Sequence, residues 1–510
     1  MMHYYFKHFK DGDPSMYYLS TRDKQLRFTP AQAIAQGLSR DGGLFVPAEF
    51  PRLPEHALNE LKDMTYQQRA VYVMSLYLEG FSKEELAEYA QRAYGPDKFD
   101  TPEVAPLHCV DDSTYCLELW HGPTCAFKDM ALQMLPHLLS ASLIKNDEQR
   151  TVCILVATSG DTGKAALEGF KDVDHTRIMV FYPKDGVSEI QELQMRTQEG
   201  SNVGVCSVVG NFDDAQTGVK QLFSDVQLRE TLSNRGFFFS SANSINWGRV
   251  LPQIVYYISS YADLLKKGVI AEGDAINICV PTGNFGNILA AFYAKQMGLP
   301  VNKLICASNS NNVLTDFLKT GVYNRNRPFY TTVSPSMDIL ISSNLERLLY
   351  ALSDENDTLV ADYMAQLNAA GKYEVSDEIR DCVRSLFAAG FASEQDTEEM
   401  IGRMWRDKQY LIDTHSAVAF YVLEQYRKES GDNTVTVVAS TASPFKFGDA
   451  VLHSIGVSNV ASGVDLLDQL AAESGIEAPK PLAGLKSKKP RFDQSVEKTD
   501  MEQAVLSFLN

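Results

Sequence analysis

From about residue 106 onward, short runs rich in β-branched and aromatic residues alternate with runs of helical pattern. That alternation constrains the fold more than any other feature of the chain. The extended runs lie at 151–157, 177–182, 203–209, 237–240, 276–280, 304–307 and 434–439, and helix-like segments at 164–170, 188–197, 212–223, 249–265, 287–297 and 312–320 separate most of them. Strands that alternate with helices return in the same direction. This predicts an α/β fold of parallel or mixed open sheets with right-handed crossovers, covered on both faces. Ligands in such folds sit beyond the carboxyl ends of strands, in the loops that lead into helices.

Three such loops carry polar and small residues. The first, Thr158-Ser159-Gly160-Asp161-Thr162-Gly163, follows one extended run and opens a helix. Its backbone N–H groups can meet an anion with a helix dipole behind them, although a plain strand-to-helix turn capped by Asp161 or Thr162 has the same residues. The second is Pro281-Thr282-Gly283-Asn284-Phe285-Gly286-Asn287. Two glycines three apart, with Asn287 at the helix start, form a nest of donors suited to a phosphate. Neither loop is a Walker A or Gly-x-Gly-x-x-Gly sequence, so neither points to a nucleotide. The third, Ser440-Thr441-Ala442-Ser443-Pro444-Phe445-Lys446-Phe447, reads on its own as a proline-terminated turn.

Two further segments bring cations. Lys128, in His121-Gly122-Pro123-Thr124-Cys125-Ala126-Phe127-Lys128-Asp129, stands where an apolar run begins. A lysine desolvated there becomes the neutral amine that attacks an aldehyde, whereas a lysine facing water does not. Ser241-Ala242-Asn243-Ser244-Ile245-Asn246-Trp247-Gly248-Arg249 gathers amides and hydroxyls just before an arginine. That set suits a phosphate or carboxylate, and equally a polar loop with a surface ion pair.

Together these segments resemble the threonine synthases, pyridoxal-phosphate (PLP) enzymes of the tryptophan-synthase-β-like fold. The 121–129 stretch resembles their cofactor-lysine signature, and the resemblance runs from about Tyr18 to about Phe447. It implies two open-sheet portions, at 106–272 and 273–510, whose folded domains can interleave, behind an N-terminal accessory domain at 1–105. It also implies that Lys128 forms the Schiff base with pyridoxal 5'-phosphate. Gly283, Asn284, Phe285, Gly286 and Asn287 would hold the cofactor's phosphate, and Thr441 would face its pyridine nitrogen. Thr158, Ser159, Asp161, Thr162, Asn243, Ser244, Asn246 and Arg249 would line the substrate side. Ser443 stands where many relatives have histidine. Ser336, in Ser334-Pro335-Ser336-Met337-Asp338, and His415, in Asp413-Thr414-His415-Ser416, also match family segments and could reach the cleft. The implied reaction converts O-phospho-L-homoserine and water to L-threonine and phosphate, the last step of threonine biosynthesis. The same motifs would serve a phospholyase that releases a 2-oxo acid, or a catalytically silent ligand-binding homologue.

Composition excludes several partners. A formal net charge of −18 argues against nucleic acid, and the basic run at 486–491 reads as a solvated loop. No apolar run approaches the ~18 residues needed to cross a bilayer, and Met1–Lys7 lacks a signal-peptide core, so a cytoplasmic location is expected. The eight cysteines include no Cys-x-x-Cys pair, so neither a disulfide framework nor a metal site is indicated. Residues 350–400, rich in Asp and Glu, read as a solvated helical region. The expected partner is a small molecule, acted on by a monomer or homodimer.

Overall fold

The computed structural model describes residues 16–158 and 160–510. Local chemistry sets the first helices. Thr29, Thr65 and Ser82 each accept a hydrogen bond from the backbone N–H three residues on, while Gln32, Gln68 and Glu85 accept the N–H of the capping residue. These reciprocal bonds occupy donors that a helix start otherwise leaves unpaired. They open the helices Pro30–Gln36, Tyr66–Ser75 and Lys83–Tyr94. A small antiparallel sheet of Asp23–Phe28, Tyr18–Ser20 and Phe45–Pro47 completes this region. It shares its core with the rest of the chain: Tyr18, Tyr77 and Tyr293 surround Trp247 at centroid distances of 5.3, 5.6 and 5.7 Å.

Two larger sheets position the cleft. The six-stranded sheet runs Phe387–Phe391, Val301–Ser308, Ile276–Pro281, Thr436–Ser440, Thr114–Glu118, Leu107–Asp111, and every neighbouring pair is parallel except the last. The five-stranded sheet runs Ser495–Val496, Val203–Val208, Thr176–Pro183, Thr151–Ala157, Phe237–Ser240 and is parallel throughout. Ile276–Pro281 and Val203–Val208 are buried along their whole length, as strands covered on both faces must be.

The sheets exchange chain. Leu107–Asp111 and Thr114–Glu118 join strands from beyond residue 273, and Ser495–Val496 joins strands from before 241. The divisions at 106–272 and 273–510 therefore follow the sequence and not the sheets. The acidic stretch 350–400 needs one correction. It holds the helices Asp357–Ala370 and Asp377–Leu386 and the start of Glu394–Lys408, but also two strands, Lys372–Glu374 and the edge strand Phe387–Phe391. The Phe-Ala-Ala-Gly-Phe composition is a weak strand former; pairing with Val301–Ser308 fixes it.

Candidate active site

Four strand ends of the six-stranded sheet converge. Thr114–Glu118 leads into 119–128, Ile276–Pro281 into 282–285, Val301–Ser308 into 309–312 and Thr436–Ser440 into 441–443. The lysine segment is folded by its own aspartate. Asp129 accepts the Thr124 N–H at 2.8 Å and the Thr124 hydroxyl at 2.7 Å. Burial pushes the Asp129 carboxyl up to about 6, against the pull of those donors. Gly122 is required beside it, since a Cβ there would lie 2.6 Å from Asp129 Oδ2.

The segment is hooked to the third loop. Phe127 N–H donates to the Thr441 carbonyl at 2.8 Å, Ser443 N–H donates to the Cys125 carbonyl at 3.0 Å, and Ala126 bridges Ala442. Lys128 is thereby placed half-buried at the start of Asp129–Leu132. Its Nζ lies 3.4 Å from Ser336 Oγ and 4.9 Å from the Phe127 ring centre. Burial pushes the amine down to about 8; Asp161 pulls it up, while Lys446 and Arg249 push it further down. A useful fraction is thus the neutral nucleophile near neutral pH.

In the second loop, carbonyls are turned away from the cleft. Ser342 Oγ donates to the Gly283 carbonyl at 2.9 Å, and Asn344 donates to the Asn284 carbonyl from its N–H at 3.1 Å and its Nδ2 at 3.0 Å. Phe285 takes φ 61°, and the helix Gly286–Gln296 begins after it. Among the described residues no acceptor takes the N–H groups of Gly286, Asn287 or Ile288. Asn287 Oδ1 accepts from both Tyr256 and Tyr257, and its Nδ2 is buried with no partner among the described residues. Orphaned donors at a helix start are what a phosphate dianion needs. Asn284 itself is exposed.

The structure distributes the remaining expected residues unevenly. Thr158 is buried, and its hydroxyl oxygen accepts the N–H groups of Gly160 at 3.0 Å and Gly163 at 2.9 Å, so it shapes the first loop. Asp161 is locked to Lys446 Nζ at 2.7 Å and to Gln191 Nε2 at 3.0 Å, both groups of the ion pair being buried. It joins a loop of one sheet to a loop of the other. Asn246 is likewise engaged: its Oδ1 accepts Gly248 N–H at 2.9 Å and its Nδ2 donates to the Ile34 carbonyl at 3.1 Å. Thr162 is half-buried in the first turn of its helix, and Ser159 lies outside the described residues.

Arg249 differs from these. It is buried, its Nη1 donates to the Ala242 carbonyl at 2.5 Å, and its Nε has no partner among the described residues. Burial pushes the guanidinium down to about 10. A buried cation left short of partners is a demand for an anion. Half-buried Asn243 and Ser244 flank it, and Ser244 lies against Gly286, 3.8 Å from where a Cβ there would sit. Two anion-seeking patches and one amine pushed down by burial thus share the cleft. Lys446 and Asp129, both inside the motifs, had no place in the sequence reading. Their partners, Asp161 and Thr124, were the missing information.

Three family models match the chain: Threonine synthase N terminus over 17–94, Pyridoxal-phosphate dependent enzyme over 99–441, and Threonine synthase, C-terminal over 416–505. The Saccharomyces cerevisiae threonine synthase is 36% identical over 96% of this chain and 96% of its own. Threonine synthase-like 1 of Macaca fascicularis is 38% identical over 84% of this chain but 58% of its own, so the chain spans under two thirds of that relative. The crystal structure of PLP-bound threonine synthase from Brucella melitensis superposes with TM-score 0.86 at 35% identity, covering 97% of this chain and all (100%) of that one.

Proposed function

This chain belongs to the threonine synthase family of pyridoxal-phosphate-dependent enzymes, and from that membership we propose that it converts O-phospho-L-homoserine and water to L-threonine and phosphate. The observation that carries the reading is Lys128. Its amine is pushed down to about 8 by burial and lies 3.4 Å from Ser336 Oγ. The Ser336 carbonyl packs on Gly283, in the loop that leads to a helix start whose N–H groups have no acceptor among the described residues.

The residues fit pyridoxal 5'-phosphate. Lys128 would take its aldehyde carbon. The N–H groups of Gly286, Asn287 and Ile288, with the orphaned Asn287 Nδ2, would take its phosphate. Thr441 would face its pyridine nitrogen. When bound, the cofactor supplies a sink for the electron pair left at the substrate's Cα.

The chain's own residues do the rest. Arg249, through its unpaired Nε, holds the substrate phosphate together with Asn243 and Ser244. Lys128 Nζ takes a proton first from Cα and then from Cβ as the phosphate leaves Cγ, and returns one proton to Cγ and one to Cα as water adds at Cβ. Three carbons change their hydrogens, so the donor's reach matters as much as its basicity. The Asp161–Lys446 pair and the Ala126–Ala442 bridge keep the lysine segment at fixed distance from the other loops.

The test supplies O-phospho-L-homoserine to the cofactor-loaded protein and measures threonine, phosphate and 2-oxobutyrate. Threonine and phosphate in equal amounts are expected, with Lys128→Ala slowing phosphate release by about 10²–10⁴-fold or more. Were 2-oxobutyrate the sole organic product, the protein would be a phospholyase. Phosphate release untouched by Lys128→Ala would remove Lys128 from the chemistry.

A further inference from the structure

The cleft contains a second group that touches Lys128 Nζ, and the protein fixes that group from three sides. Ser336 sits in the turn Pro335–Met337, with its Oγ 3.4 Å from the lysine nitrogen. Its backbone N–H donates to His415 Nε2 at 3.2 Å. Because that nitrogen accepts, the imidazole proton is on Nδ1, which donates to Asp413 Oδ2 at 2.8 Å. His415 is 2% exposed and packs on Phe447 at 4.8 Å, and Asp413 is held in turn by the N–H groups of His415 at 3.0 Å and Ser416 at 3.1 Å.

The far side of the turn is equally restrained. Asp338 accepts from Asn309 Nδ2 at 2.8 Å, Asn311 Nδ2 at 2.9 Å and Thr332 Oγ1 at 2.8 Å. From below, the Ser336 carbonyl lies 2.7 Å from the Cβ position that Gly283 leaves empty. His415 thus holds the Ser336 backbone N–H, Gly283 packs beneath its carbonyl, and Asp338, two residues on, ties down the end of the turn. Among the described residues its hydroxyl meets only Lys128. A serine kept for structure would have that hydroxyl bonded to the framework.

We propose that Ser336 is a second proton-handling residue of this site: its hydroxyl relays protons between Lys128 Nζ and the bound substrate, and His415 with Asp413 are the positioning residues that hold it in place. The inference rests on the reaction assigned above, in which a single amine must serve Cα, Cβ and Cγ. In each relay a proton leaves Nζ for Ser336 Oγ as the serine's own proton passes to the substrate atom, or the reverse. The serine ends each exchange neutral and unchanged, and no other reactant is needed.

Ser336→Ala keeps the backbone N–H and hence the bond to His415, so it removes only the hydroxyl. We expect kcat to fall about 10²-fold with KM little changed. We also expect the pH at which the cofactor-loaded resting protein changes its absorbance to move by about one unit, the scale of one hydrogen bond to a titrating group. His415→Gln, which retains an acceptor but not the ring, should move both quantities the same way by less. Parent-like kcat and absorbance titration in Ser336→Ala would overturn the proposal, as would a rise in KM at unchanged kcat. The absorbance titration needs no turnover. It therefore reads Ser336 even in a protein that makes no threonine, a result that would instead sink the assigned reaction.

Discussion

Removing Lys446 leaves a negative charge stranded between the two sheets. In the parent, Lys446 Nζ and Asp161 Oδ1 are 2.7 Å apart with side chains 0% and 4% exposed, and the ammonium also donates to the Thr124 carbonyl at 2.9 Å. Lys446 and Lys128 hold the Asp161 carboxyl well below the usual carboxylate range, against the upward push of its burial. Deleting one partner of a buried pair costs about 3–5 kcal/mol, because the other charge remains in a poor medium. At roughly 2.1 cal/mol/K per residue, the 510-residue chain unfolds with an entropy of about 1.1 kcal/mol/K. Lys446→Met should therefore lower Tm by about 3–5 °C, as measured by calorimetry near pH 7.5. Replacing both partners, as in Lys446→Met with Asp161→Leu, should recover most of that loss, because two apolar groups of similar volume carry no desolvation penalty. The sign with pH follows. A depressed folded-state value means the pair's stabilisation is full above about pH 4 and fades only as pH falls below it, so parent and single variant should converge in strong acid. A single variant as stable as the parent, or a double variant less stable than the single, would refute the reasoning.

Two other perturbations follow from the cleft and its rim. Gly283→Ala would put a Cβ 2.7 Å from the Ser336 carbonyl and 3.3 Å from Met337 Cα, backbone atoms that cannot swing aside. A loss of about 1–3 kcal/mol is expected, felt as roughly tenfold weaker cofactor binding in a fluorescence titration; unchanged affinity would show that the turn has slack. His121 lies between Asp100 at 2.7 Å and Glu118 at 2.9 Å, and despite the downward push of burial those carboxylates raise its imidazole to about 9. Raised above its unfolded value of about 6.5, it stabilises fully below that pH and loses the contribution as pH climbs through 9. The stability gap between parent and His121→Gln should close from pH 7 to pH 10 in denaturant melts, and a gap independent of pH would rule out the charge.

What was legible in the sequence was local. The glycine turn at 283–287 and the apolar run behind Lys128 both announce themselves within a dozen residues. The alternation of strands and helices gave the parallel sheets for the same reason. The invisible parts are those made by long-range pairing. Nothing near Asp161 says that Lys446 will neutralise it, so it read as a ligand contact; nothing near Asn246 says that Ile34 will occupy its amide. Ser336 and His415 each matched a family segment, but the bond between them, across 79 residues, was legible from neither. The edge strand Phe387–Phe391 was missed because its alanines and glycine carry little strand preference, and its neighbour Val301–Ser308 supplies what its own sequence lacks.

The order of strands also bears on how the molecule can be made. Thr436–Ser440 inserts between Ile276–Pro281 and Thr114–Glu118, so the middle of the larger sheet is made after both its neighbours. Until then the nascent polypeptide holds two half-sheets with facing unpaired edges, surfaces prone to associate with other chains. Phe127, beside Lys128, acquires the Thr441 carbonyl as acceptor for its N–H only when that strand closes the gap. The lysine segment is therefore anchored only after residue 436 has been made, and a polypeptide terminated before it leaves the seam open.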